Sequence, residues 1–191
     1  MNIFQAVGHI WLLFLHSLGK ITLFIAETII SMVKPPFYWK TTLRQMMEIG
    51  FYSLPVVGLT AIFTGAVLAL QSYTGFSRFN AESSIATVVV ISITRELGPV
   101  LAGLMVAGRV GASIAAEIGT MRVTEQIDAL STLSTNPYRY LIVPRVLAAL
   151  IMLPCLVLIA DIIGVYGGYL VGIYMLDFNP TSYLQSTFDY L

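Results

Sequence analysis

The stretch FYSLPVVGLTAIFTGAVLALQSY, residues 51–73, decides the fold of this chain. It has 23 residues and contains no Asp, Glu, Lys or Arg. As an α-helix with a rise of 1.5 Å per residue it would reach about 34 Å, which exceeds the roughly 30 Å thickness of the hydrocarbon core of a bilayer. The sequence therefore predicts a first transmembrane helix here.

Two further apolar stretches follow, at 85–108 and 146–176. The last is long for a single crossing, so it must tilt or kink, and Pro154 is one place where it can do so. The sequence therefore predicts three transmembrane helices. Together with the flanking segments they are predicted to form one all-α integral membrane domain over residues 1–191.

The N-terminal region, residues 1–40, is apolar but carries charges within its hydrophobic stretches, at Lys20 and Glu27. It lacks the basic start of a secretory signal peptide, because no Lys or Arg precedes Lys20. A helix lying in the interface can place such charges among the lipid head groups, whereas a spanning helix must bury them. We therefore expect one or two interfacial helices here, with a true transmembrane span as the alternative.

The composition agrees with a membrane protein and excludes other classes. Hydrophobic residues are 57% of the chain and charged residues 10%, where soluble domains carry about 25% charged residues. Equal numbers of basic and acidic side chains give a net charge of zero, so no basic surface is present for nucleic acid. The single cysteine, Cys155, excludes an internal disulfide and a multi-cysteine metal site, and no metal site is predicted.

Basic residues indicate the orientation of the chain. The connection 109–145 carries several arginines, whereas the short connection between the first two spans has Arg78 as its one basic residue. Because cytoplasmic loops are enriched in Lys and Arg, the N-terminus and the 109–145 connection are predicted to be cytoplasmic. Leu191 is then expected on the opposite side of the membrane.

Charged residues also occur inside the predicted spans. Arg95 and Glu96 lie near the middle of the second span, and Asp161 lies midway along the third. Pro99 adds an irregularity, because it has no N–H to donate to the carbonyl oxygen of Arg95. An ionised side chain at this depth costs roughly 3 kcal/mol or more unless it is paired or hydrated. We expect a structural ion pair between Arg95 and Asp161, or a polar wall of a substrate path in which Arg95 meets an anionic head group, and the two are compatible.

Small residues recur four apart on the second and third spans. This spacing is typical of membrane helices that pack closely, and we expect packing as its main role, with a direct transport role as the alternative. The two sets are Gly103, Ala107 and Gly111 on the second span, and Gly164, Gly168 and Gly172 on the third.

The 109–145 connection contains an apolar stripe at helical spacing, formed by Val123, Ile127 and Leu130. The segment STNP at 134–137 ends this pattern. The connection is therefore predicted to hold a short amphipathic helix, which either lies on the membrane surface or docks a soluble partner. The chain has no phosphate-binding loop and no hydrolase motif, so we predict no enzymatic activity and no cofactor in it, and ATP hydrolysis would need another chain.

Several blocks of sequence resemble one protein family. They are TRELGPVLAG at 94–103, AGRVGA at 107–112, AEIGTMRVTEQIDAL at 116–130, NPYRYL at 136–141 and PRVLA at 144–148. In these blocks the chain closely resembles the MlaE-type permeases, the membrane subunits of ABC transporters that work with MCE-domain proteins. The resemblance implies a permease that moves phospholipids or related lipids between inner and outer membranes and helps to maintain outer-membrane lipid asymmetry.

The resemblance also implies partners and residue roles. The partners are an ABC ATPase that binds ATP and Mg²⁺, an MCE-domain substrate-binding protein and a second permease copy, in the bacterial inner membrane. Arg95 and Glu96 would line or brace the lipid cavity. The family has about five spans, so its last two are expected to be absent from this chain. The implied ATPase-coupling region, with its coupling helix at about 120–135, comprises Glu117, Arg122, Glu125, Gln126 and Asp128.

Two other functions fit the same residues. Arg95, Glu96 and Asp161 could form an ion or proton relay, as in a secondary transporter or channel. Close helix packing alone would suit a structural membrane scaffold. Dependence on ATP separates an ABC permease from a relay, because a relay responds to a proton gradient without any partner ATPase.

Overall fold

The structure is a computed structural model that describes residues 3–79 and 84–189. The described residues form helices joined by short turns, and no strand occurs among them. The predicted all-α architecture is therefore confirmed. The α-helices are α1 Ile3–Val33, α2 Trp39–Ile49, α3 Leu54–Phe76, α4 Ile85–Ser92, α5 Gly98–Val123, α6 Gln126–Thr132, α7 Val143–Tyr174 and α8 Pro180–Asp189.

Four helical segments of the described chain, rather than the predicted three, are long and apolar enough to cross a membrane. They are Trp11–Val33, Trp39–Phe76, Ile85–Val123 and Tyr138–Tyr174. The additional segment belongs to α1, which is one continuous helix. Lys20 and Glu27 do not interrupt this helix, because both side chains are exposed and a helix accepts isolated charges on an open face.

The helices extend further than hydropathy predicts. The second span, predicted at 85–108, continues as helix to Val123, and the third, predicted at 146–176, runs from Tyr138 to Tyr174. The predicted connection is therefore much shorter than 109–145. Hydropathy marks where a helix leaves the apolar layer and not where it ends. Residues 109–123 contain no proline and several alanines, so the helix continues through them.

Two π-helical turns interrupt the long helices, at Ile93–Leu97 and Tyr138–Ile142. Each is followed by a proline in the first turn of the next α-helix, Pro99 in α5 and Pro144 in α7. Because proline donates no N–H, the regular hydrogen-bond pattern cannot run through these points. Single π-turns occur often at functional sites, and the first of these two contains Arg95 and Glu96.

The most extensive helix interface joins α3 and α7. Both helices present small residues at intervals of four, which lets their backbones approach. A Cβ built on Gly65 would lie 2.8 Å from the carbonyl carbon of Gly164 and would overlap its oxygen. The stripe of α3 is Val57, Ala61, Gly65 and Ala69, and that of α7 is Ala160, Gly164, Gly168 and Gly172.

The short helix α8 packs on the end of α7 through Tyr183, whose side chain is buried. The Tyr183 ring lies 5.9 Å from that of Tyr169 and 6.5 Å from that of Phe178, measured between centroids. A Cβ on Gly172 would come within 3.0 Å of the Tyr183 ring, so a glycine there makes room for it. Burial raises the pKa of Tyr183 to about 12, and its hydroxyl stays protonated at neutral pH.

Candidate functional site

The first π-helix places both charges of the second span on the surface of the chain. Arg95 and Glu96 are exposed, whereas Ile93, at the start of the same turn, is 3% exposed. Hydrocarbon cannot solvate these charged groups. Inside a bilayer they therefore need water, a polar head group or another protein surface beside this face.

The predicted ion pair between Arg95 and Asp161 is not formed. Asp161 packs against Gly98 at the start of α5, and among the described residues no basic nitrogen lies within 4 Å of its carboxylate. The rotation of α7 explains this difference. Gly164 faces the carbonyl of Ala61 in α3, and this packing turns Asp161 toward Gly98. Arg95 is exposed on the outer surface, so the two side chains do not face each other.

An ion pair does join α5 and α7, at a different level. Arg145 donates from Nη2 to Oε2 of Glu117 at 2.6 Å and from Nη1 to the carbonyl oxygen of Leu141 at 2.7 Å. The side chain of Arg145 is 7% exposed and that of Glu117 is 48% exposed. The pair therefore fixes the last part of α5 to the first turn of α7, across the connection that contains α6.

A sharp turn separates α5 from α6. Glu125 adopts the left-handed conformation, with φ 57° and ψ 15°. The turn is spanned by an ion pair in which Nη1 of Arg122 lies 3.1 Å from Oδ1 of Asp128, and both side chains are more than half exposed. Gln126 is the first residue of α6 and is also exposed. Four of the five residues predicted for ATPase coupling therefore lie together at this turn, and Glu117 lies apart from them.

The predicted short helix between the second and third spans is present as α6, but its apolar stripe differs from the prediction. Val123 is the last residue of α5 and is 85% exposed, so it does not share a face with α6. Ile127 and Leu130 are half-buried on α6. The left-handed residue Glu125 breaks the helical periodicity that the sequence pattern assumed.

Replacing Glu125 by glycine is expected to raise the free energy of unfolding by about 1 kcal/mol. A left-handed conformation costs a residue with a Cβ atom roughly 1–2 kcal/mol, and the greater freedom of glycine in the unfolded chain offsets part of that gain. Unfolding of the two proteins in detergent measures the difference. Glu125→Ala is the matched control, since it removes the charge but keeps the Cβ. An equal gain in the alanine variant would show that charge, and not backbone conformation, destabilises this turn.

The two sets of small residues lie in different surroundings. Gly164, Gly168 and Gly172 face the interior, against α3, α4 and α8. The set on α5 faces away from the rest of the chain, because no described atom outside that helix lies within 4 Å of a Cβ built on Gly103 or Gly111. Ala107 is also exposed. This stripe of α5 is open to close contact with a helix outside the described residues.

An apolar groove of about 660 Å³ lies beside α6. Ile127 of α6, Ile118 of α5, Phe24 of α1 and Tyr138 of the second π-helix contribute to its walls. Arg145 is its one charged lining residue among those described, and Glu117 already binds that side chain. The groove therefore suits hydrocarbon better than a polar ligand.

Comparison with known proteins decides the family. The model of the family described as Permease MlaE matches residues 42–191. The chain belongs to the MlaE permease family. The resemblance seen in the sequence blocks is thereby confirmed. Together with its apolar helices, this membership makes the chain a multi-pass membrane transport subunit.

Named relatives agree with the family model. A probable ABC transporter permease protein of Rickettsia felis is 68% identical over 191 residues, which are 100% of this chain and 74% of that protein. The intermembrane phospholipid transport system permease protein MlaE of Haemophilus influenzae is 36% identical over 173 residues, 91% of this chain and 66% of that protein. The chloroplastic protein TRIGALACTOSYLDIACYLGLYCEROL 1 of Arabidopsis thaliana is 37% identical over 145 residues, 76% of this chain and 41% of that protein.

Three arginines of the 109–145 connection, which the sequence analysis used to predict the orientation of the chain, also hold helices together. Arg109 donates to Oγ of Ser53 at 2.8 Å, and Arg139 donates to the carbonyl oxygen of Pro35 at 2.8 Å. Arg145 forms the ion pair described above. Their positions near the ends of the predicted spans indicated that they could contact other helices. Their partners, however, are far away along the chain or are main-chain oxygen atoms. Sequence spacing could not have identified those partners.

Proposed function

We propose that this chain is the permease subunit of an ABC transporter that moves phospholipids or related lipids between the inner and outer membranes of a bacterial envelope. Family membership supports the permease role, and the name of the Haemophilus influenzae relative supports phospholipid as the substrate class. The distribution of basic residues supports an inner-membrane orientation with the N-terminus and α6 on the cytoplasmic side.

The structural observation that best supports this proposal is the helical segment from Ile85 to Val123. It holds Arg95 and Glu96 within its apolar part and leads, through the turn at Glu125, directly into the exposed helix α6. Arg95 and Val123 are about 42 Å apart along such a helix. A force applied at α6 therefore acts on the same helix that carries the two intramembrane charges.

A separate ATPase subunit supplies that force, with ATP and Mg²⁺ bound on the ATPase. The surface proposed to contact it is the turn between α5 and α6, where Arg122, Glu125, Gln126 and Asp128 are exposed. Glu117 contributes by holding Arg145, so it transmits movement of this turn to α7. An MCE-domain protein on the opposite side of the membrane would receive or deliver the lipid.

The coupling role of this turn is tested by Glu125→Lys. We expect the variant to fold and to lose stimulation of ATP hydrolysis by the assembled transporter, because a reversed charge at the contact surface opposes docking. The measurement is the ATPase rate of the complex in phospholipid vesicles. Asp189→Lys makes the same charge change on α8, away from α6, and serves as the control. An unchanged ATPase rate in Glu125→Lys would remove this turn from the coupling surface.

Arg95 is proposed to meet the anionic phosphate of a lipid head group where the first π-helix and Pro99 leave the backbone irregular. Glu96, the next residue, is also exposed. A second permease copy packing on the stripe Gly103, Ala107 and Gly111 would enclose this face and form a cavity between the two copies.

Arg95→Ala is therefore expected to lower lipid crosslinking severalfold from a photoreactive residue placed at Val100. Val100 is 55% exposed and lies in the first turn of α5, directly after the π-turn that contains Arg95. The control position is Leu158 on α7, which is 64% exposed and has no charged neighbour in sequence within two residues. If crosslinking at both positions is unchanged and thermal stability falls, Arg95 has a structural role only.

The ion-relay alternative is not favoured. A relay through Arg95, Glu96 and Asp161 needs these groups to exchange protons or ions with one another. The structure turns Asp161 toward Gly98, inside the helix packing, and leaves Arg95 and Glu96 on the outer surface.

A further inference from the structure

One oxygen atom of the half-buried Asp161 side chain lies where no hydrogen-bond donor of the described residues reaches it. Its Oδ1 atom is buried, and within the part of the chain that the structure describes it has no hydrogen-bond partner. The carboxyl group packs against Gly98, where the absence of a Cβ leaves the space that Oδ1 fills. An ionised carboxylate is destabilised when one of its oxygen atoms is buried without a donor or a cation.

The hydroxyl groups of the adjoining cavity already donate hydrogen bonds. Thr60 and Thr64 of α3 line a small cavity together with Gly98 and Ala160. Both hydroxyls donate within their own helix: Thr60 at 2.9 Å to the carbonyl of Val56, and Thr64 at 2.7 Å to that of Thr60. They therefore do not supply the hydrogen bond that a carboxylate at Asp161 would require.

Acceptors, in contrast, are close to Asp161. The carbonyl oxygen of Ile93 lies 2.9 Å from the position that a Cβ on Gly98 would occupy, and Oδ1 of Asp161 overlaps that position, so the two oxygen atoms border the same small space. This carbonyl accepts the N–H of Gly98 across the π-turn and has a second lone pair free. Pro99 donates nothing, so a further carbonyl of the turn is left without its usual helical partner. A carboxylic acid can donate its O–H to one of these carbonyl oxygen atoms. A carboxylate, which only accepts hydrogen bonds, cannot.

We propose that Asp161 is held as a neutral carboxylic acid and donates its O–H to the main-chain carbonyl of Ile93 in the first π-turn. Asp161 is thus a positioning residue, which ties α7 to the turn that carries Arg95 and Glu96. The charged groups of that turn face outward, and no described basic group reaches the carboxyl to stabilise its ionised form. Asp161 would have this role whatever the transported substrate is.

Infrared difference spectroscopy of the full chain in phosphatidylethanolamine–phosphatidylglycerol vesicles tests the protonation. We expect the spectrum of the native chain minus that of Asp161→Asn to contain the C=O stretching band of a protonated carboxyl group at neutral pH. Asp128→Asn, which changes an exposed carboxylate, is the matched control and should leave the band in place. A carboxylate band in place of the protonated band would overturn the proposal.

Thermal unfolding tests the positioning role. Asp161→Asn keeps an N–H donor for the Ile93 carbonyl and should retain the melting temperature, whereas Asp161→Ala should lower it. Gly98→Ala should displace the carboxyl group from the space beside residue 98. The protonated-carboxyl band should then disappear, provided that the variant remains folded. Equal losses of melting temperature in the asparagine and alanine variants would contradict the proposed hydrogen bond, as would a band that persists in Gly98→Ala.

Discussion

Gly65→Ala is expected to lower the free energy of unfolding by about 3 kcal/mol, at the upper end of the cost of overpacking a well-packed interior. The added Cβ would overlap the carbonyl oxygen of Gly164 and lie 3.1 Å from the main-chain nitrogen of Gly168. Both neighbours are backbone atoms, which cannot rotate away as the end of a side chain can. The helices α3 and α7 would have to separate, and much of their mutual packing would be lost.

Gly19→Ala, in α1, is the matched control for this prediction. It makes the same chemical change within a long helix, but no described atom outside that helix is within 4 Å of the new Cβ. We expect it to leave the free energy of unfolding unchanged or slightly higher, because alanine has the greater helix propensity. Reversible unfolding in mixed detergent micelles measures both variants. Equal losses in the two would show that contact between the α3 and α7 backbones does not limit stability.

Glu117→Ala is expected to destabilise the chain by about 3 kcal/mol, although Glu117 itself is nearly half exposed. The reason lies with its partner. Arg145 is 7% exposed, and its Nε atom already has no hydrogen-bond partner among the described residues. Removing the carboxylate 2.6 Å away leaves a buried guanidinium with the Leu141 carbonyl as its remaining acceptor. Breaking one half of a buried pair costs far more than an exposed pair contributes.

Two comparisons isolate this effect. Asp128→Ala breaks the exposed ion pair with Arg122 and should change the free energy of unfolding by less than about 1 kcal/mol. The double replacement Glu117→Gln with Arg145→Met removes both charges together and should recover most of the stability lost in Glu117→Ala. A double variant as unstable as Glu117→Ala alone would show that the side-chain volume at these positions, and not the unpaired charge, is responsible.

The sequence predicts the long helices and one half of their packing. The period of four at Gly164, Gly168 and Gly172 is visible without a structure, and these residues do face the interior. The matching stripe on α3, with Ala61 and Gly65, has the same period but lies among larger apolar residues that obscure it. The spacing of small residues does not show which two stripes pack against each other, because that depends on the tertiary structure. The equivalent stripe on α5 contacts no other helix of the described chain.

The candidate site was harder to predict, for a geometric reason. Hydropathy gives the depth of Arg95 and Asp161 in the membrane but not the rotation of either helix about its axis. Successive helical residues point about 100° apart, so packing of Gly164 on α3 decides where Asp161 points. The left-handed residue Glu125 was also not predictable, because non-glycine residues rarely adopt that conformation.

Native mass spectrometry of the full chain, released gently from its own membrane, tests the central claim most directly. A lipid-transporting ABC permease is expected to appear as two copies of this chain bound to an ATPase subunit, with phospholipid retained in the complex. ATP added before release should change the amount of retained phospholipid. A single chain that carries neither an ATPase nor phospholipid would contradict the proposed function.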